Sequence, residues 1–184
     1  MTMWLTIVGM GEDGYDGLSA AAKLAVETTS LVIGSERLLG MLPPSKTGRM
    51  EWPQPFSAVV DMIKPLRGRS TVILATGDPM NYGVARKLLE FIPFEEMRII
   101  PHLSAFSLAA ARMGWSLPDC DTLTLHGRDA ANIEAFIQPR ARLIVLTADA
   151  GTIPEVARRL MERGFGDSRV TILENMGGER ECVS

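Results

Sequence analysis

The sequence predicts an α/β protein made of two small α/β domains with a mainly parallel sheet. Short runs rich in β-branched and large apolar residues alternate with segments of helical periodicity, the pattern of repeated strand–helix units. Two of these runs end in glycine-centred loops, Val8–Gly14 and Ala75–Gly83. The alternation breaks between Gly114 and Gly127, so we predict one domain over residues 1–120 and a second over residues 121–184.

Each predicted element depends on its local pattern. The segment Leu18–Glu27, for example, places Leu18, Ala22 and Val26 on one helical face. The second domain has only two clear strand–helix steps, so we expect it to be incomplete, and the chain to be truncated or one module of a longer polypeptide. The predicted strands are Leu5–Val8, Leu31–Ile33, Thr71–Leu74, Met97–Ile100, Leu143–Leu146 and Val170–Leu173; the predicted helices are Leu18–Glu27, Phe56–Leu66, Val84–Phe91, Ser104–Met113 and Ile153–Arg163.

The composition is that of an ordinary globular protein. The chain has 184 residues, of which 46% are hydrophobic, and a net charge of −3, which gives no general attraction to nucleic acid or to an acidic membrane surface. No apolar run approaches the roughly 20 residues that a membrane-spanning helix needs. Cys120 and Cys182 lie far apart and form no Cys/His ligand pattern, so we expect reduced thiols, no bound metal and a cytoplasmic protein.

The first glycine loop has the GxGxxG spacing at Gly9, Gly11 and Gly14. In a dinucleotide fold this spacing binds pyrophosphate at a helix amino terminus. The fit is poor, because Glu12 and Asp13 in the turn would repel phosphate and the predicted helix begins later. A tight strand-to-helix turn with no ligand explains the same glycines.

The second glycine loop, Thr76-Gly77-Asp78-Pro79, presents a carboxylate at the end of a strand. Gly77 lets a ligand approach the backbone, and Pro79 biases Asp78 away from the helical conformation. A carboxylate in this place suits a cationic ligand or a ribose diol, and S-adenosylmethionine meets that description. The alternative is an Asp-Pro turn whose carboxylate caps the following helix.

Two further turns carry polar groups. Ser104 is a natural amino-terminal cap for the helix that follows it, and His102 beside it is either a surface residue or a base. In the turn His126-Gly127-Arg128, glycine permits a positive φ, and Arg128 can pair with a substrate carboxylate. A solvated turn between two domains explains the second motif equally well.

These segments, in this order, resemble the tetrapyrrole methylase family of S-adenosylmethionine-dependent enzymes. That family's pattern opens with VGxGPG and continues with a GDP loop and a P-G-[IT]-[ST]-[SA] loop. The corresponding segments here are Val8–Gly14, Gly77-Asp78-Pro79 and Pro101–Ala105. The segments Gly34–Leu39, His126-Gly127-Arg128 and Leu173–Gly178 with Glu179 to Glu181 are similar to one branch, the amino-terminal modules of precorrin-6Y methyltransferases of cobalamin synthesis.

The sequence departs from the family pattern at three places. Glu12-Asp13 stands where the family has Pro-Gly, His102 stands where it has glycine, and Ala105 stands where this branch often has a second serine. The first two changes alter the side chains of the loops, whereas backbone contacts to a cofactor tolerate such changes. We therefore expect cofactor binding to be retained.

The resemblance implies S-adenosylmethionine-dependent C-methylation of a precorrin macrocycle, at the carbon-5 meso position, by a homodimer whose cofactor lies in a cleft between two domains. It also implies a second Rossmann-type module, fused to the chain or partnered with it, for the other methylation and the decarboxylation. Attack of a ring carbon on the sulfonium methyl group needs alignment and exclusion of water more than a strong base, so no catalytic residue is assigned. The implied cofactor-binding residues are Glu12, Thr76, Gly77, Asp78, Asn81, Ser104, Ala105, Leu146, Thr147, Ala148, Met176 and Gly177.

The acetate and propionate groups of such a substrate require a basic cluster. We hypothesise that Arg37 and Arg128, with His126 beside the latter, supply it; Arg49 and Arg112 are further candidates, for which a solvated surface position is at least as good an explanation. Three other functions stay open at this point. The first is a methyltransferase of another branch, whose substrate is a different tetrapyrrole, an RNA or a protein. The second is a nicotinamide-dependent dehydrogenase, and the third is a non-enzymatic ligand-binding module.

Overall fold

A computed structural model of the chain describes residues 3–53 and 58–184. These residues group into two compact units. The first unit runs to Ser104 and includes Gly177–Glu179, and the second consists of Ala105–Met176 and Arg180–Ser184. The domain boundary expected near residue 120 stays a prediction.

The first unit is built on a five-stranded sheet in which every pairing is parallel. Its strands are β1 (Leu5–Met10), β2 (Leu31–Gly34), β3 (Gly48–Glu51), β4 (Thr71–Thr76) and β5 (Met97–Ile100), in the spatial order β3-β2-β4-β1-β5. The register places Val8 of β1 opposite Leu74 of β4 and Ile100 of β5. The loops that follow β1, β4 and β5 therefore leave the sheet at the same edge.

Both faces of this sheet are covered by helices, because successive side chains of each strand point to opposite faces. Ile7, Ile33 and Ile73 pack on one face with α3 (Val59–Ile63) and α4 (Val84–Leu88). Val8, Val32 and Leu74 pack on the other with α1 (Ala20–Thr28) and α2 (Glu36–Gly40). Burial on both sides explains why these strands read as nearly continuous apolar runs.

Serine side chains begin the two helices that follow β1 and β2. The Ser19 hydroxyl accepts a hydrogen bond from the Ala22 backbone N–H at 3.2 Å, and Ser35 accepts one from Leu38 at 3.3 Å. Each serine thereby satisfies a backbone donor that the first helical turn leaves free. Because Ser35 fixes where α2 begins, it also fixes the position of Arg37 in the first turn.

A buried carboxylate joins the amino ends of β1 and β5. Glu96 is 2% exposed, accepts a hydrogen bond from the Trp4 indole N–H at 2.7 Å and forms an ion pair with Arg67. The Trp4 backbone N–H also donates to the Glu96 carbonyl oxygen at 3.1 Å. This cluster lies at the end of the sheet opposite to the glycine loops.

The second unit contains two small pairs of strands. Its elements are α5 (Ala105–Met113), β6 (Asp121–Thr124), β7 (Leu143–Leu146), α6 (Thr152–Glu162), β8 (Leu173–Glu174) and β9 (Cys182–Val183). Strands β6 and β7 are parallel, and β8 and β9 are antiparallel. Phe106, Ala109 and Ala110 of α5 pack on Ile144 of β7, and a second cluster forms around Leu123 and Ile133.

Most predicted elements lie within one to three residues of the observed bounds (the helix predicted over Val84–Phe91, for example, ends at Leu88), and two need a larger correction. The strand expected over Val170–Leu173 is instead β8, which starts at Leu173 and pairs with β9. The helix expected over Phe56–Leu66 is described from Val59 onward and ends in a 3₁₀ turn at Lys64–Leu66, where Pro65 cannot donate to the helical ladder; Phe56 and Ser57 lie outside the described residues. Within the described ranges, no helix has the length and apolar character to cross a bilayer.

Candidate functional site

The loops after β1, β4 and β5 make direct backbone contacts with one another. The Gly77 N–H donates to the Met10 carbonyl oxygen at 2.9 Å, and the His102 N–H donates to the Gly77 carbonyl oxygen at 3.3 Å. A Cβ placed on Gly9 would lie 2.0 Å from that Gly77 oxygen and 2.6 Å from the His102 nitrogen. Only glycine at position 9 permits this approach. Gly77 itself has a φ of +60°, which glycine adopts without strain.

A guanidinium group joins two of the predicted cofactor residues at this edge. Arg37 donates to a carboxylate oxygen of Glu12 at 2.5 Å and to the Thr76 hydroxyl at 3.2 Å. The three residues come from the first turn of α2, the loop after β1 and the end of β4. The Arg37 side chain is 42% exposed and that of Glu12 is 22% exposed, so the cluster is open to solvent and to a ligand.

Asp78 organises its own loop. Its carboxylate accepts a hydrogen bond from the Met80 backbone N–H at 2.9 Å, and its carbonyl oxygen accepts one from the Asn81 N–H at 3.1 Å. Helix α4 begins after Gly83, which makes no side-chain cap hydrogen bond, so Asp78 closes a turn and does not cap that helix. One carboxylate oxygen of Asp78 anchors the loop, and the half-buried residue lies at the carboxyl end of β4.

His102 and Asp13 approach each other across the same edge. The His102 Nε2 atom lies 3.6 Å from an Asp13 carboxylate oxygen, at the distance of an ion pair. The other ring nitrogen, Nδ1, is buried and has no hydrogen-bond partner among residues 3–53 and 58–184. The sequence signal for this contact is indirect: Gly11 and Gly17 leave room for the Asp13 carboxylate, and Gly11 also leaves room for the His102 ring.

The candidates beyond the first sheet are placed as follows. Ser104 is buried, and Ala105 begins α5. Leu146 ends β7 and is followed by the exposed residues Thr147 and Ala148. Met176 packs in the cluster around Phe106, and Gly177 has a positive φ of +85° and is grouped with the first unit.

The His126-Gly127-Arg128 turn is exposed. Gly127 has a φ of +66°, and the His126 backbone N–H donates to the Thr124 hydroxyl at 3.1 Å. The Arg128 backbone N–H donates to the Leu125 carbonyl oxygen, also at 3.1 Å. The turn therefore closes on itself, and its side chains project from the end of β6. The roles given to His126 and Arg128 stay predictions.

The two further arginine candidates are engaged in structural contacts. Arg49 donates to the carbonyl oxygens of Leu39 at 3.1 Å and of Leu42 at 3.5 Å, and also to that of Pro43, at and beyond the carboxyl end of α2. Arg112 of α5 pairs with Glu181 through two donors, one of them at 2.8 Å. Across the part of the chain that the structure describes, no cluster of three or more His, Cys, Asp or Glu side chains could hold a metal ion.

The donor set at the loop edge fits S-adenosylmethionine better than a pyrophosphate. Glu12, Asp13 and Asp78 bring three carboxylates to one side of the sheet, whereas Arg37 is already paired with one of them. Helix α1 starts only at Ala20, behind the Ser19 cap, so its amino terminus does not directly follow the glycine loop. Carboxylates and hydroxyls suit an ammonium, a sulfonium and a ribose diol, and they repel phosphate.

Comparison with known proteins identifies similar chains. The model of the family Tetrapyrrole (Corrin/Porphyrin) Methylases matches residues 4–183. A precorrin-6Y C(5,15)-methyltransferase [decarboxylating] of Sinorhizobium sp is 38% identical over 182 residues, which are 98% of this chain and 44% of that protein. A cobalt-precorrin-7 C(5)-methyltransferase of Salmonella typhimurium is 32% identical, over 97% of this chain and 88% of that protein.

A solved structure has the same fold. The crystal structure of a cobalamin biosynthesis precorrin-6Y methylase from Archaeoglobus fulgidus has a TM-score of 0.71 and 26% sequence identity, covering 99% of this chain and 88% of that one. The chain thus spans less than half the length of the Sinorhizobium relative and most of the length of the Salmonella and Archaeoglobus proteins.

Proposed function

The chain belongs to the tetrapyrrole (corrin/porphyrin) methylase family, and from this premise we propose that it methylates a ring carbon of a precorrin in cobalamin biosynthesis, with S-adenosylmethionine as methyl donor. The resemblance and the α/β fold class with a parallel sheet, both expected from the sequence, are confirmed. The names of the Sinorhizobium and Salmonella relatives both specify carbon 5, which supports the meso carbon 5 as the position of methylation here.

The observation that carries the proposal is the convergence of three loops on one carboxylate-rich edge of the first sheet. The backbones of Gly77 and His102 are hydrogen-bonded to each other, and the Arg37 guanidinium donates hydrogen bonds to both Glu12 and Thr76. In open α/β sheets, ligands bind outside the carboxyl ends of the strands. We assign Glu12, Thr76, Gly77, Asp78 and Asn81 to this part of the cofactor site. The remaining predicted residues, Ser104, Ala105, Leu146, Thr147, Ala148, Met176 and Gly177, stay predictions.

When bound, S-adenosylmethionine supplies an electrophilic methyl group on a positively charged sulfur. The protein's task is to bind, orient and exclude water, because the electron-rich ring carbon of the substrate is itself the nucleophile. The Asp78 carboxylate attracts the cationic groups of the ligand, while Glu12, held by Arg37, and the Thr76 hydroxyl are hydrogen-bond partners for its polar groups. We therefore assign no general acid or base.

Arg37, Arg128 and His126 are the proposed contacts for the acetate and propionate groups of the substrate. An arginine side chain forms two parallel hydrogen bonds to a carboxylate, which a net-acidic protein needs at its substrate site. Arg37 has the clearest support, because it is 42% exposed and lies beside the proposed cofactor residues Glu12 and Thr76.

Two statements about assembly are part of the proposal. The Sinorhizobium relative is more than twice as long as this chain, which supports a second module that is fused to the chain or partnered with it. A homodimer is proposed from the family resemblance. Light scattering of the purified chain at several concentrations should give the mass of a dimer, and a mass near 20.1 kDa at every concentration would contradict it.

Calorimetric titration with S-adenosylhomocysteine, with NAD as the matched alternative, tests the cofactor assignment. We expect micromolar affinity for S-adenosylhomocysteine and no binding of NAD. Asp78→Asn should weaken binding at least about tenfold, since it removes the charge at the end of β4. Asp16→Asn removes an exposed carboxylate outside the cluster and should leave the affinity unchanged.

Binding of NAD alone would overturn the proposal in favour of a dinucleotide enzyme. Failure of the chain to bind S-adenosylhomocysteine would contradict the proposal for the chain by itself. Transfer of a labelled methyl group to the precorrin substrates named for the relatives then tests the reaction. The carbon that carries the label in the product tests the position.

A further inference from the structure

His102 contains a buried nitrogen that the described structure leaves unsatisfied. Its side chain is 16% exposed, and its Nδ1 atom has no hydrogen-bond partner among the described residues. Buried polar atoms in folded proteins are nearly always paired, so each exception calls for an explanation. On the opposite side of the ring, Nε2 faces the Asp13 carboxylate at 3.6 Å.

The Asp13 carboxylate, although 37% exposed, lies against two glycines of its own loop. A Cβ on Gly17 would lie 1.8 Å from one of its oxygens, and a Cβ on Gly11 would lie 2.6 Å from the other. The same Cβ on Gly11 would be 2.9 Å from the His102 Cε1 atom and 3.2 Å from Nδ1. Both glycines thus leave room for these two side chains, and the loop after β1 is shaped around them.

The two side chains come from the loops that follow the neighbouring strands β1 and β5. Asp13 lies in the loop after β1, and His102 lies in the segment after β5. The His102 backbone N–H donates a hydrogen bond to the Gly77 carbonyl oxygen. A shift of either loop would move the Gly77 turn and, with it, Asp78. The pair also stands at two positions where the family pattern has glycine, so it is a feature of this sequence and is not required by the pattern.

We propose that Asp13 and His102 act as a positioning pair, holding the loops after β1 and β5 at the separation that S-adenosylmethionine needs; this inference rests on the proposed function. A separation of 3.6 Å is too long for a direct hydrogen bond. The attraction is electrostatic, between the carboxylate and the edge of the imidazole, and it is strengthened by the partial exclusion of water. Neither residue transfers a proton in the reaction.

A double-mutant cycle on S-adenosylhomocysteine affinity tests the pair. Asp13→Ala and His102→Ala should each weaken binding about tenfold, and the double variant should be no weaker than the weaker single variant, because the second change removes an interaction already lost. Asp16→Ala is the matched control, since it deletes a carboxylate three residues away. It should bind within about twofold of the unmodified chain.

The outcomes separate the pair from the proposed function. If the unmodified chain fails to bind S-adenosylhomocysteine, the proposed function fails. If the unmodified chain binds but the single variants bind equally well, or if their effects multiply in the double variant, the positioning pair is wrong. Thermal unfolding of each variant shows whether a loss of affinity merely accompanies a loss of folding.

Imidazole nitrogen NMR gives a readout that needs no cofactor. The chain has only two histidines, so the signals of His102 are assigned by comparison with His126→Gln. We expect the neutral ring of His102 to carry its proton on Nε2, facing Asp13, and to lose this fixed tautomer in Asp13→Ala but not in Asp16→Ala. A proton on Nδ1 in the unmodified chain would overturn the proposal.

Discussion

The carbonyl oxygen of Gly77 lies 2.0 Å from the position that a Cβ on Gly9 would occupy. Gly9 is in β1 and pairs with Ala75 of β4, so the chain leaves β4 and immediately turns back over its neighbouring strand. The left-handed backbone of Gly77, with φ at +60°, produces this return. The loop that presents Asp78 therefore depends on a glycine in a different strand.

Replacing Gly9 with alanine should destabilise the protein by at least about 2–3 kcal/mol, because the new methyl group meets backbone atoms that cannot rotate away. Urea unfolding followed by circular dichroism measures this. Gly40→Ala is the control, because nothing lies within 4 Å of a Cβ at that position and Gly40 is helical. This substitution should be neutral or should stabilise the protein by up to about 1 kcal/mol. Equal effects of both changes would contradict the steric explanation.

Acid should remove the stabilisation that Glu96 provides. Hydrogen bonds from Arg67 and then from the Trp4 indole hold the pKa of the Glu96 carboxyl below its ordinary value of 4.5. As the pH falls, the unfolded chain takes up this proton first. The contribution of the Glu96 carboxylate to the free energy of unfolding is therefore complete above about pH 4.5. It is lost as the pH falls through the lower pKa of Glu96 in the folded state.

Glu96→Gln should lower the melting temperature at neutral pH, because the amide leaves the Arg67 guanidinium without its carboxylate partner. The difference from the unmodified chain should narrow steadily below pH 4.5. Differential scanning calorimetry across this range makes the comparison, with the exposed neighbour changed in Glu95→Gln as control. A difference that is the same at every pH would rule out the ionised carboxylate as its source.

Arg37→Lys should weaken S-adenosylhomocysteine binding about fivefold to tenfold, since an ammonium group cannot hold Glu12 and Thr76 with two separate donors. Calorimetry on the variant measures this directly. Arg128→Ala is the companion variant: it should leave this affinity within about twofold and instead weaken binding of the precorrin. If Arg37→Ala changed neither affinity, Arg37 would have no part in the site.

Arg49→Ala should reduce the free energy of unfolding by about 1–2 kcal/mol, because it removes charged hydrogen bonds to carbonyl oxygens near the end of α2. Affinity for both cofactor and substrate should stay unchanged. Chemical unfolding and calorimetry on one preparation separate the two effects. Weaker precorrin binding with normal stability would return Arg49 to the candidate substrate residues.

The strands with apolar runs and the longer periodic helices could be predicted from the sequence, whereas short elements without such a pattern could not. Both Met97–Ile100 and Leu143–Leu146 were predicted with the bounds they have in the structure, because apolar runs of this length are typical of strands covered by helices. Strand β3, Gly48–Glu51, is exposed at every position and has no such pattern. Helix α2 has five residues, too few to show helical periodicity.

The candidate site could be predicted only in part. Glycine followed by Asp-Pro at the end of an apolar run indicated the Gly77 loop, since local sequence dictates that turn. The contacts between Arg37 and Glu12 and between Asp13 and His102 join residues far apart in the chain. They depend on which strands become neighbours, and here β4 stands between β1 and β2. The spatial order of the strands cannot be read from any short segment of the sequence.

This strand order also has a consequence for how the protein folds. Strand β1 pairs with residues 71–76 on one side and 97–100 on the other, so neither edge of β1 can be satisfied until a long loop has closed. Pairings this distant in sequence make folding slow, because the entropy of loop closure is lost before the contacts form. Until then Leu5, Ile7 and Val8 are exposed on an unpaired strand, and chaperone binding at this segment during synthesis is the expected consequence.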